Sequence, residues 1–158
     1  MIADTFRRAQ DAAEAASWAL RNVSAITASH SVSGEQEACE AVFSALQSHM
    51  ANPLTTEQHF AAVVNLTVEN NLNIQIFYAI GLCEVLADAM KLHSKVVETC
   101  IQMSWALQIM CAIPTINKRA GDLGMCESIV GILRRHISNT ESSTRACLAI
   151  SEVTELYT

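Results

Sequence analysis

Apolar positions along this chain recur at helical spacing, and one stripe is written three times. In GLCEVLADAMKLH, residues 81–93, positions i, i+3, i+7 and i+10 are Cys83, Leu86, Met90 and His93. The same offsets give Cys39, Val42, Leu46 and His49 in EACEAVFSALQSH, and Cys126, Ile129, Leu133 and His136 in GMCESIVGILRRH. Such spacing places each set on one face of an amphipathic helix. The copies lie 44 and then 43 residues apart, so the pattern predicts a repeated unit.

A second kind of segment follows each stripe. SKVVETCIQMSWALQIMCAI, residues 94–113, is apolar almost all round and stops before Pro114. A helix of that kind needs cover on most sides, which predicts an inner position. Its SWAL at residues 104–107 also stands at residues 17–20, two repeat lengths earlier, with Ala61–Val64 between them and Cys147–Ile150 one repeat later. A third, shorter segment precedes each stripe: NIQIFYAI at 73–80, NKRAGDL at 117–123 and, in its weakest form, SVSGEQ at 31–36. These predict short helices or turns, with Gly81 and Gly124 where the chain bends into the next helix.

The unit is therefore a short, a medium and a long helix, and it cannot bury its apolar faces alone; stacked neighbours make the core continuous. The predicted class is all-α, a single domain over residues 1–158 made of a partial unit at 1–27 and repeats at about 28–70, 71–113 and 114–158. Two prolines and five glycines agree with a chain of helices. No apolar run reaches the roughly 18 residues of a membrane span, and the N-terminal stretch carries Asp4, Asp11 and Glu14 in place of an apolar signal core.

These units resemble armadillo repeats. NKRAGDLGMCESIVGILRRH is similar to the short first and second helices of that family, and ETCIQMSWALQIMCAI and AASWALRNVSAI to its long third helix. The resemblance covers nearly the whole chain and implies a right-handed α-solenoid whose third helices line a concave groove that holds peptides or partner helices. HEAT-type repeats share the period and stay open as an alternative.

Charge and chemistry narrow the function. A formal net charge of -6 argues against nucleic acid as partner, and Lys118, Arg119, Arg134 and Arg135 are expected to be solvated surface. The six cysteines lie in apolar helical patterns and are expected as free, buried thiols, which suits the reducing cytoplasm or nucleus. The repeated Cys and His are unsuited to a shared metal. Ten residues of helix separate them by about 15 Å, and equivalent positions in packed helices by about 10 Å, whereas a zinc site gathers its ligands around one ion. His at a helix end is expected to bond free carbonyls there. Neither a cofactor nor catalysis is expected, because no nucleophile elbow, metalloprotease motif or phosphate loop occurs.

The third-helix face is the candidate for binding. Taken from Trp18, its positions are Trp18, Arg21, Asn22 and Ala25, then Ala62, Asn65, Leu66 and Glu69, then Trp105, Gln108, Ile109 and Ala112. Trp18 with Asn22 resembles the Trp and Asn pair of nuclear-import armadillo adaptors, which holds the main chain of a basic peptide. The Asn is replaced by Leu66, Ile109 and Glu152 in the other copies, so the ladder is broken. The predicted contacts are Trp18, Arg21, Asn22, Asn65, Trp105 and Gln108, and the predicted ligand is a neutral to basic protein segment. The competing expectation is a structural segment that self-associates through its ends, because Leu148, Ile150, Val153 and Leu156 of the last helix need cover on more than one side.

Overall fold

Gly81 and Gly124 both take left-handed backbone, at φ 95° and 73°, and each turns a short helix into a medium one. The computed structural model describes residues 14–16, 18, 19, 22 and 32–154, which form helices joined by short turns, with no strand among the described residues. From Val32 the elements are α1 (Val32–His49), α2 (Pro53–Thr67), α3 (Asn71–Ala79), α4 (Leu82–Leu92), α5 (Val97–Cys111), α6 (Pro114–Asp122), α7 (Met125–Arg135) and α8 (Thr140–Thr154). Lengths of 9, 11 and 15 residues in α3, α4 and α5 recur in α6, α7 and α8, each helix starting 43 residues later. The packing is repeat-like as well as all-helical.

The first unit departs from this plan for a local reason. Glu37 stands 44 residues before Gly81, where the bend belongs. A residue with a Cβ avoids the left-handed region, so the chain stays right-handed and the two segments run on as the 18-residue α1. The separate short helix or turn expected at residues 31–36 is therefore absent. Elsewhere the starts follow familiar chemistry. Asn52 Oδ1 accepts from Leu54 N at 2.9 Å, with Pro53 in the first turn of α2, and Pro114 opens α6.

The repeated stripe forms the core in the first two copies: Cys39, Val42 and Leu46 are fully buried, and Cys83, Leu86 and Met90 nearly so. α5 is an inner helix, with its most extensive contacts to α2 and α8. Thr99 Oγ1 donates to Pro53 O at 3.1 Å, which sets the N-terminal turns of α5 and α2 side by side, running the same way. Because α2 and α5 begin 44 residues apart, Ala61 corresponds to Trp105, Val64 to Gln108 and Asn65 to Ile109. The register that paired Ala62 with Trp105 is off by one residue.

Polar ties link successive units. His93 Nε2 donates to Met50 O at 2.6 Å, and His136 Nε2 to Ser94 O at 2.9 Å. The acceptor each time is the residue after the preceding unit's repeated histidine, so these rings reach across to the neighbouring unit instead of closing their own helix end. Asn73 Nδ2 donates to Leu66 O of the preceding unit at 2.8 Å, whereas Asn117 Nδ2 donates within its own unit, to Glu152 O at 2.7 Å. Arg119, at the surface as expected, also donates to Glu84 of the preceding unit at 2.6 Å, and this bond holds the Glu84 carboxyl below the usual carboxylate range. Among the cysteines the expectation of burial also needs correction: Cys39, Cys83, Cys100 and Cys111 are buried, but Cys126 is half-buried and Cys147 exposed.

Candidate interaction surface

The long helices α2, α5 and α8 form a row, and their shared face carries the candidate contacts. Trp105, on α5, is half-buried, and the guanidinium carbon of Arg145, from α8, sits 3.6 Å from its ring centroid. That distance makes a cation–π contact, worth roughly 0.5–2 kcal/mol according to how far it is desolvated. Arg145 lies 40 residues after Trp105, one repeat less one helical turn, so the pair crosses diagonally between neighbouring helices. Sequence reasoning did not select Arg145. The spacing is a usable signal only once the third helices are known to lie side by side in the same sense.

Gln108, one turn beyond Trp105, is half-buried, and its Oε1 is shielded from solvent with no hydrogen-bond donor among the described residues. An acceptor left this way costs on the order of 1–3 kcal/mol. Asn65 is half-buried on α2, at the place of Ile109 rather than of Gln108. Trp18 is helical and 61% exposed, Asn22 is helical and exposed, and Arg21 lies outside the described residues. The structure thus brings Trp105, Gln108 and Arg145 together and places Asn65 one helix away.

The electrostatics of this row are acidic. Its ionised side chains are Glu57, Glu98, Glu141 and Glu152 against Arg145. His59 on α2 is buried, and burial first, then the neighbouring His49, pushes its pKa down to about 4, so at neutral pH it adds no charge. The thiols are equally quiet. Burial raises Cys83 to about 11 and Cys100 and Cys111 to about 12, which keeps them protonated, whereas both nucleophilic attack and metal ligation use the thiolate. Among the described residues, no three His, Cys, Asp or Glu side chains converge on a common point.

No family model, no curated protein and no solved structure matches this chain.

Proposed function

We propose that this protein is an armadillo-type solenoid of right-handed superhelical twist that binds an extended segment of another protein along α2, α5 and α8, without catalysing a reaction. The observation that carries the reading is the Trp105–Arg145 stack, with the half-buried Gln108 one turn beyond it, on a row of long helices. The Trp and Arg planes supply contact area at low entropy cost. Trp18 and Asn22 extend the same surface in the partial first unit, and Asn65 adds a second amide.

The acidic row selects neutral to basic segments, chiefly by raising encounter rate. A cytoplasmic site of action suits four buried, free thiols. The test is affinity capture with mass spectrometry, comparing the native chain with Trp105→Ala, Gln108→Ala and the Trp18→Ala, Asn22→Ala, Trp105→Ala triple variant. Specific partners captured by the native chain should weaken by about 1–4 kcal/mol when Trp105 is a hot spot, with helical content unchanged. Undiminished binding by the folded triple variant would rule this face out. A crystal structure in which the three long helices follow one another with the opposite hand would remove the armadillo assignment.

A further inference from the structure

The last unit repeats the helices of the middle unit but not their burial. Cys83, Ala87 and Met90 on α4 are at most 2% exposed, whereas their counterparts on α7, Cys126, Val130 and Leu133, are half-buried. On α5, Ser104 and Cys111 are buried, whereas Cys147 and Thr154 on α8 are exposed. Cys100 and Leu107 are likewise buried, while Ser143 and Ile150 are half-buried. Other equivalent pairs, such as Leu86 with Ile129 and Met103 with Ala146, are buried in both units. Each unit therefore has one set of positions that its own helices cover and a second set that the next unit covers. In α7 and α8 that second set lies open, with Ile137 beside it 67% exposed.

We propose that this end face of α7 and α8 pairs with the same face of a second copy of the chain, about a two-fold axis, to form a closed dimer. The face is built to receive helices, because the same positions on α4 and α5 receive α7 and α8. It is also complementary to its own reversed image. On α8 the strip Ser143, Cys147, Ile150, Thr154 carries no ionised group, and reversal sets Cys147 of one copy against Ile150 of the other and Ser143 against Thr154. A small side chain meets a larger one, or its own size, at every step. On α7 an open depression of about 350 Å³ is lined by Cys126, Glu127, Val130, Gly131 and Arg134. Reversal about its middle brings Glu127 of one copy to Arg134 of the other, twice over, so the flanking charges attract. A symmetric interface needs this self-complementarity, since the same patch serves both sides.

The test is sedimentation velocity on the full chain across nanomolar to high micromolar concentration. The expected result is a concentration-dependent rise from 17.2 kDa to a species of twice that mass and no larger. Cys147→Glu, at a position exposed in the single chain, should leave the circular dichroism unchanged and weaken the dimer by roughly tenfold or more. Arg134→Glu should weaken it as well, and Glu127→Arg combined with Arg134→Glu should restore it, which a merely structural role for either residue would not do. A short bis-maleimide should link two native chains but not two Cys147→Ser chains. A folded chain that stays monomeric throughout, an open-ended ladder of larger species, or a dimer indifferent to Cys147→Glu would overturn the proposal. Trp105→Ala, on the other face, should leave the dimer intact, so this result stands apart from the outcome for peptide binding.

Discussion

The same substitution, glycine to alanine, should have opposite effects at Gly81 and at Gly131. Gly81 sits at φ 95° in the bend between α3 and α4, and an added Cβ would meet Glu84 Oε2 at 3.7 Å and Phe43 Cζ at 3.9 Å. Those are ordinary contacts, so nothing steric adds to the backbone cost of holding an L-residue in the left-handed region, about 1–2 kcal/mol. Gly131 lies inside α7 with nothing within 4 Å of its Cβ position. Alanine there should stabilise by about 0.5–1 kcal/mol, through a less flexible unfolded chain and better helix propensity. The two variants should thus differ by about 1.5–3 kcal/mol, and for a chain of this size each kcal/mol moves Tm by about 2–4 °C. Urea and thermal unfolding followed at 222 nm, at a concentration where the chain is monomeric, read both values. A Gly81→Ala protein as stable as the native one would refute the argument that glycine creates the bend, and with it the explanation of why Glu37 fuses the first two segments of the first unit into α1.

Other outcomes follow from single residues. His93→Ala removes one of two donors to Met50 O, the other being Thr56 Oγ1 at 3.0 Å, together with a buried ring, and should destabilise by about 0.5–1.5 kcal/mol through the hydrogen bond in urea unfolding, with a further loss of packing that His136→Ala, whose ring is only half-buried, should show less; equal losses would count against the inter-unit tie. His59 has a folded pKa of about 4, below the ordinary histidine value, so the unfolded chain binds the proton first. Stability should therefore be constant above about pH 6.5 and fall toward pH 4 by on the order of 2–3 kcal/mol, and His59→Phe should flatten that slope. Under native conditions at low protein concentration, a thiol reagent should modify Cys147 first and Cys126 more slowly, with Cys100 and Cys111 silent until unfolding; peptide mapping of the labelled sites gives the order, and early labelling of Cys100 would contradict its burial.

The stripe Cys83, Leu86, Met90 was legible because it depends on helical spacing alone, and the bends at Gly81 and Gly124 because a left-handed turn has few residue choices. The fused helix α1 was misread as a separate short segment at residues 31–36, because the stripe sets the period but the missing glycine at position 37 decides whether the chain bends. The one-residue slip between α2 and α5 was not. Val63, Val64, Leu66, Ala106 and Leu107 are all buried, and a helix covered on most sides has no polar face to fix its rotation, so similarity of short apolar words sets the register wrongly. The helix starts at Pro53 and Val97, 44 residues apart, resolve it.

A different limit applies to the interaction surface and the end of the row. A repeat pattern tells which positions a neighbouring unit will cover, but whether the neighbour is present depends on where in the row the unit lies. Ser104 is fully buried, while its counterpart Cys147, the more apolar of the two, is exposed. Burial here follows unit position more than residue hydrophobicity. The same reasoning explains Arg145. Its partner Trp105 lies on the preceding unit, so neither residue's own helix reveals the contact, and only the offset of one repeat less one turn joins them. Chemistry in a protein of this kind is to be sought at positions related by the repeat length plus or minus a helical turn, and at those covered in one unit and open in the next. Trp105 with Arg145 belongs to the first class and Cys147 with Ile150 to the second. Arg145 and the strip Ser143, Cys147, Ile150 lie on different faces of α8, so the proposed binding of a segment and the proposed pairing with a second copy do not compete for the same side of the helix.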